Sequence, residues 1–335
     1  MIKKTMESIS PTHRSLDTLR KVTQPLDDAI SSVKQLMDTT IRTATQRLEP
    51  FIDSLTISHG KLIRSILLLS TAVSTGEITH LHIKAATAIE LLHYASLIHD
   101  DVIDQADLRR SEPSINTVLG NKNAVLMGDF ILCRGLNLLA SLGDTLVFSK
   151  VTKSMGTVVE GELLQSLPAT LTEADYIQII EQKTAEIFGL TMFLGSYINC
   201  KRKYTARIWE KIGQCIGMAF QIMDDVIDLR EDTAHSGKTA GRDINSGTFT
   251  LPIIYLIDTL PGNKRENFIR RLKNKQISPR AIRDKLISSA SLQRVRLSAQ
   301  TYLNKATAHY ASLNLNAPCP VIDCLIRIIL NEIYI

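Results

Sequence analysis

Two short stretches hold the residues best suited to chemistry. Leu97-Ile98-His99-Asp100-Asp101-Val102-Ile103-Asp104 closes an apolar run with three carboxylates in five residues and leads at once into Asp107-Leu108-Arg109-Arg110. Carboxylates packed this densely against a core are costly unless a positive charge neutralises them. On a helix Asp100 and Asp104 share a face, with Asp101 beside them, so hard oxygens point in one direction. That donor set suits Mg²⁺ or Mn²⁺, which share carboxylate oxygens with a phosphorylated substrate. Phe220-Gln221-Ile222-Met223-Asp224-Asp225-Val226-Ile227-Asp228 repeats the same spacing behind another apolar run. If the two helices face each other, their carboxylates surround a cavity able to hold several divalent ions and a diphosphate.

The elements that must carry these motifs read as helices. Leu19, Val22, Leu26, Ile30, Val33, Leu36, Met37 and Ile41 recur at three- and four-residue intervals, so an amphipathic helix is predicted within 16–51, punctuated by Pro25 and Pro50. Helices are predicted over 63–73, 83–98, 124–140, 145–167, 173–197, 206–229 and 251–260, with a further set from Pro279 onward. Residues 111–123 read as a loop, with Pro113, Gly120 and Asn121. The stretch 232–249, rich in Gly, Ser, Thr and Lys, is a long loop inside a helical chain, a length that usually signals function or disorder. Strict apolar alternation with β-branched enrichment is scarcely found, and no linker splits the chain. The expectation is one all-α domain over 1–335.

Composition narrows the function classes. The chain has 335 residues, 44% hydrophobic and 22% charged, with a formal net charge of +5, which is ordinary for a globular protein and gives no signal for nucleic acid. Cys133, Cys200, Cys215, Cys319 and Cys324 form an odd set without a CxxC pair, which argues against a disulfide framework or a zinc site and for a reducing cytoplasmic setting. No secretory h-region is visible in residues 1–20, and the apolar runs are too short to suggest a transmembrane segment.

Diphosphate charge left over by metal needs cations. Arg109 and Arg110 follow the first motif, and Arg grips phosphate oxygens in bidentate fashion. Lys61 and Arg64 precede a buried helix, with Gly60 allowing close backbone approach. Lys183, Thr184 and Lys238 are further donors. Taken singly, each of these is more often a solvated surface residue.

As a set they resemble a family. Gly60-Lys61-x-x-Arg64, His93 ahead of the first acidic motif, Gly128-Asp129-Phe130, Lys183-Thr184, Gly217-x-x-Phe220-Gln221 with the second motif, Gly237-Lys238, Gly241-x-Asp243 and Thr250-Leu251-Pro252 are similar, in order, to the motifs of trans-isoprenyl diphosphate synthases over residues 58–252. The resemblance implies antiparallel helices around a deep central cavity, with the acidic motifs facing across its mouth and 232–249 as an active-site loop. It implies Asp100, Asp104, Asp224, Asp225 and Asp228 as ligands of two or three Mg²⁺ ions, with Mn²⁺ as the substitute, and Asp101 acting more through hydrogen bonding. Arg109, Lys183, Thr184, Gln221 and Lys238 match contacts to an allylic diphosphate such as farnesyl or geranylgeranyl diphosphate. Lys61, Arg64, His93 and Arg110 match the isopentenyl diphosphate pocket. The implied reaction is ionisation of the allylic substrate, attack by isopentenyl diphosphate and loss of a proton, by a homodimer.

Product length is read from the residues below the first motif. Ala95 and Ser96 are small, where short-chain members of the family carry an aromatic floor, so the cavity is expected to continue past Leu132 and Leu136 and to admit a product longer than C20, in the C30 to C50 range of quinone side chains. Tyr94 is the nearby residue able to close part of that space. Ser65 stands where a Pro is common, Ser111 where a Gly is common, and Thr248 where a Lys is usual. The last change resembles catalytic components of two-subunit hexaprenyl and heptaprenyl synthases, so a heteromer with a small partner subunit is the alternative assembly. A partner-dependent or non-catalytic subunit and a class I terpene cyclase are the alternative functions.

Overall fold

The computed structural model describes residues 21–334 apart from 44–45, 54, 56–61, 110–111, 168–171, 231–248, 275 and 316–318. The predicted sites Lys61, Arg110 and Lys238, the loop 232–248 and the side chain of Asp228 lie outside the described residues.

A turn of 3₁₀ helix at Gln24–Leu26 leads into α1 (Asp27–Arg42), and a short α2 (Glu49–Asp53) follows. Pro25 and Pro50 thus mark the starts of separate pieces where the sequence suggests one punctuated helix, because proline is tolerated in a first turn and not in an interior. Next come α3 (Ile63–Thr75) and α4 (His80–Ile103), the helix of the first acidic motif. Its start lies ahead of the predicted Ile83 because Thr79 forms a capping box in which His82 takes the usual Glu position. The Thr79 backbone N–H donates to His82 Nδ1 at 3.1 Å, while Nε2 faces the Gly195 carbonyl at 3.3 Å. Burial pushes this imidazole down to about 4, so it is neutral at pH 7.

The segment predicted as a loop over 111–123 is more ordered than its composition suggests. Leu108–Arg109 (β1) pairs antiparallel with Glu112–Pro113 (β2), and α5 (Ile115–Leu119) follows. Short polar side chains fold it back over the end of α4. Ser114 and Asn116 donate to the Ala106 carbonyl and Thr117 to that of Asp107, while Ile115 is buried. Local pairing of this kind has no periodic signature in sequence.

Helix α6 (Asn121–Ala140) runs antiparallel to α4, with Gly128 lying so close to His99 that a Cβ there would meet its ring at 2.2 Å. By length and composition it is the one helix among the described residues that could cross a membrane, and 33% of its apolar window is buried. The bundle continues with α7 (Thr145–Ser166), α8 (Glu173–Ile180), a π-helical turn at Glu181–Ala185, α9 (Glu186–Cys200) and α10 (Lys203–Arg230), the helix of the second motif. Then come α11 (Leu251–Asp258), α12 (Gly262–Lys273), α13 (Pro279–Ile287), α14 (Ser291–Ser312) and α15 (Pro320–Tyr334). α12 has no counterpart in the predicted elements, since it buries only Phe268 and Leu272 among charged residues. α4, α9 and α10 are buried along most of their length, with Trp209, Leu91, Leu92 and Leu190 fully enclosed. The architecture is all-α, and its only described strands are the four residues of the hairpin.

Candidate active site

In each acidic motif the middle carboxylate is buried and already engaged. Asp101 lies at the end of α4 and receives a bidentate Arg109 guanidinium, Nε to Oδ2 at 2.6 Å and Nη2 to Oδ1 at 2.7 Å. The same Nη2 also donates to the Leu97 carbonyl at 3.3 Å, so the hairpin is latched to the helix end. Asp225, the corresponding residue of α10, accepts from the Tyr176 hydroxyl at 2.6 Å on Oδ2 and from Gln221 Nε2 at 2.9 Å on Oδ1. Gln221 in turn accepts from Thr184 Oγ1 at 2.9 Å. Thus Arg109, Thr184 and Gln221, all predicted at the allylic diphosphate, here orient the motifs themselves. Tyr176 has no motif of its own, and nothing in the sequence marks it.

The flanking carboxylates are the ones turned outward. Asp104 and Asp224 are exposed and Asp100 is half-buried. Burial, followed by the nearby Glu162 carboxylate, pushes Asp100 up to about 6, against the opposing pull of Lys183. Lys183 Nζ pairs with Glu162 Oε2 at 2.5 Å and donates to Gln165 Oε1 at 3.0 Å. Gly161, Glu162 and Gln165, which meet the π turn and Lys183, are not marked by any motif in the sequence. Gly161 has a clear reason, because a Cβ there would lie 2.9 Å from the Lys183 backbone nitrogen. The α7 backbone therefore packs directly on the π turn. That turn inserts into the helix predicted over 173–197 and brings Lys183 to α7 and Thr184 to α10; π turns often occur at functional sites.

On the other flank, Ser65 fixes the start of α3. Its backbone N–H and its hydroxyl both donate to Glu90 Oε1 at 2.9 Å, in a buried contact. Arg64 is thereby held beside the stretch of α4 that carries Glu90 and His93, and both Arg64 and His93 are half-buried.

Helical phase sorts the residues below Asp100. Ser96 lies one turn before it on the same face and is half-buried, with its hydroxyl on the His93 carbonyl at 2.8 Å. Ala95 is turned about 100° away and is fully buried. Tyr94 lies on the Asp101 side, where burial pushes its phenol up to about 12 and Arg109 and Asp101 are its charged neighbours. Leu132 and Leu136 of α6 are half-buried against the core.

Among the described residues no three carboxylate, histidine or cysteine side chains converge as a closed metal cage. The described donors are hard oxygens on Asp100, Asp104 and Asp224, and carboxylate crowding around Asp100 leaves excess negative charge. These residues fit a cation of the Mg²⁺ type, which takes one or two carboxylates and fills its remaining positions with water and diphosphate oxygens.

A family model described as polyprenyl synthetase matches residues 45–287. The chain belongs to that family. The octaprenyl diphosphate synthase of Escherichia coli is 34% identical over 200 residues, which are 58% of this chain and 62% of that protein. An all-trans-nonaprenyl-diphosphate synthase (geranyl-diphosphate specific) of Rhodobacter capsulatus is 32% identical over 262 residues, covering 77% of this chain and 80% of the relative. Among solved polyprenyl synthetase structures, a Caulobacter crescentus polyprenyl synthase complexed with calcium and isoprenyl diphosphate superposes with a TM-score of 0.84 at 25% identity, covering 94% of this chain and 97% of that one. The heptaprenyl diphosphate synthase of Staphylococcus aureus gives 0.80 at 27% identity, covering 92% and 98%.

Proposed function

We propose that the protein elongates an allylic diphosphate with isopentenyl diphosphate, giving an all-trans polyprenyl diphosphate longer than C20. The observation that carries this reading is the paired build of the acidic motifs on either side of the π turn. One carboxylate of each is clamped, Asp101 by Arg109 and Asp225 by Tyr176 and Gln221, while Asp104 and Asp224 are exposed and half-buried Asp100 feels the charge of Lys183. Two such half-sites suit a diphosphate held between them.

Asp100, Asp104 and Asp224 would hold divalent cations, joined by Asp228. Such cations, when bound, draw charge from the diphosphate leaving group. Arg109 clamps the Asp101 carboxylate and keeps the end of α4 in register, so that Asp100 and Asp104 point the same way. Lys183, released from Glu162, supplies a cation to diphosphate oxygens, and Thr184 and Gln221 keep Asp225 fixed. Arg64 and His93, with Lys61 and Arg110, would orient isopentenyl diphosphate so that its double bond faces C1 of the allylic substrate. The C1–O bond of the allylic substrate breaks as C1 bonds to the terminal alkene carbon of isopentenyl diphosphate, and the cation left on the isopentenyl unit loses a proton from its own C2, which the departing diphosphate can accept, so no side-chain nucleophile is required. The apolar walls of α4, α6 and α9 exclude water that would quench the allylic cation.

The small Ala95 and Ser96 support a long product, as do relatives named octaprenyl and nonaprenyl diphosphate synthases. Homodimer formation is supported by exposed Val125 and Leu126 on α6 and Val159 and Leu163 on α7, apolar residues suited to a pairing face. All five cysteines are free, in keeping with a cytoplasmic setting.

Incubation with Mg²⁺, labelled isopentenyl diphosphate and farnesyl diphosphate, followed by sizing of the dephosphorylated products, tests the reading. Stepwise chain extension is the expected result. Cyclic hydrocarbon formed without isopentenyl diphosphate, or phosphate release alone, refutes it. Extension only after a second subunit is added assigns the chain to a heteromer.

A further inference from the structure

The end of the bundle opposite the aspartates is as distinctive as the site itself. Helix α10 carries Asp224 near one end and Lys203 at the other, 21 residues and so about 30 Å away. At that far end the turn between α9 and α10 reads Lys201-Arg202-Lys203-Tyr204. Lys201 ends α9 in the left-handed conformation (φ 52°), held by Asp144 Oδ2 at 2.8 Å and by the Tyr197 ring at 5.0 Å. Arg202, Lys203 and Arg207 are exposed and form no ion pair among the described residues, and Tyr204 is 79% exposed.

A shallow cleft of about 310 Å³ joins Lys203 and Arg207 to Lys150 and Lys153 of α7, with Glu210 as its acidic member. Apolar surface accompanies the charge. The Asn199 side chain, four residues before Lys203 at the end of α9, donates to the Ala72 carbonyl at 2.9 Å, which brings the end of α3 and its exposed Val73 to the same side. Val73 borders an apolar cleft of about 520 Å³ lined by Val22, Leu26 and Leu315.

We infer that this distal end docks on an anionic lipid bilayer, through unpaired Arg202, Lys203 and Arg207 on lipid phosphates and Tyr204 at headgroup depth. Clustered Lys and Arg are drawn to the negative surface of such a membrane, and an exposed Tyr between them is suited to its interface. Nucleic acid would use the cations and leave Tyr204, Val73 and the apolar cleft without a role. The placement has a consequence that rests on the proposed elongation reaction. A product whose diphosphate stays at the aspartates extends its hydrocarbon along the bundle toward this end, where a bilayer could receive it.

Co-sedimentation with vesicles is the test, using the full chain and comparing phosphatidylglycerol-containing vesicles with pure phosphatidylcholine. The expected result is binding to the anionic vesicles only, release by salt, and about tenfold or greater loss of partitioning in Arg202→Glu/Lys203→Glu. Tyr204→Ala should weaken binding in the same direction while keeping its salt dependence. Failure of the wild-type chain to sediment, unchanged binding by the charge-reversed variant, or preference for a duplex oligonucleotide over vesicles overturns the inference. Elongation assayed in detergent on the same preparation separates the two readings: activity without sedimentation removes only the docking surface, and sedimentation without activity removes only the reaction.

Discussion

The Arg109–Asp101 clamp gives the sharpest quantitative test. The Asp101 side chain is 4% exposed and that of Arg109 30%, and two charge-assisted hydrogen bonds of 2.6 and 2.7 Å join them. Removing one partner of a fully buried pair costs about 3–5 kcal/mol, because it strands a charge. The partial exposure of Arg109 admits solvent and lowers this, so Arg109→Met should destabilise the fold by about 2–3 kcal/mol. Arg109→Lys keeps the charge and loses the fork, and should cost about half as much. Asp101→Asn removes the charge and keeps the shape, so the double variant Arg109→Met/Asp101→Asn should recover about 1.5 kcal/mol relative to the sum of the single changes. Urea unfolding of the metal-free protein measures this as a shift in midpoint at constant slope. The same clamp holds the helix turn that aims Asp100 and Asp104, so Arg109→Met should also raise the Mg²⁺ concentration for half-maximal activity by about tenfold or more. Additivity of the single changes within about 0.5 kcal/mol, or an unaltered Mg²⁺ requirement, would refute the reasoning.

Other expectations follow from the same geometry. Asp100 is raised from 3.8 to about 6, so the metal-free fold holds a proton that the unfolded chain has released; its contribution to stability is full below pH 3.8 and lost as pH rises through about 6. The wild-type melting temperature should therefore fall across that window and recover with Mg²⁺, whereas Asp100→Asn should flatten the profile; equal pH profiles for the two proteins contradict the assignment. Ser65→Pro deletes both donors to buried Glu90 Oε1 and should cost about 1–3 kcal/mol and raise KM for isopentenyl diphosphate more than it lowers kcat; unchanged stability shows that Glu90 finds another partner. Ser96→Phe should shorten the product more than Ala95→Phe, because Ser96 is the residue in phase with Asp100. Chromatographic sizing that shows the reverse order moves the floor of the cavity to the Ala95 face.

Local pattern was enough for some features. The duplicated spacing of Asp100, Asp101 and Asp104 with Asp224, Asp225 and Asp228, each behind an apolar run, marks two helix ends carrying hard oxygen donors whatever the rest of the chain does. The 3.6-residue periodicity placed most of the bundle helices from α3 onward, α5 and the highly charged α12 excepted, because a buried helix face leaves a repeating trace in sequence. Short-range polar pairing leaves none. The hairpin that returns Arg109 to Asp101 and the His82 cap of α4 depend on individual side chains meeting individual backbone groups, and composition reads such stretches as loop.

Tertiary structure decided which member of each acidic motif faces outward. The family resemblance sets Asp101 apart as a hydrogen-bonding residue but counts Asp225 among the ligands, yet Asp101 and Asp225 are alike enclosed, by Arg109, Tyr176 and Gln221, partners lying 8, 49 and 4 residues away in the chain. It also decided that a π turn interrupts the helix after Ile180 and sets Lys183 against Glu162, a contact made possible by the missing side chain of Gly161. Periodicity reports which face of a helix is buried, and it is blind to a one-residue shift in phase and to what lies across the interface. Those two things set the environment that raises the Asp100 carboxyl and decide which of Ala95 and Ser96 lies on its face, and both come from packing.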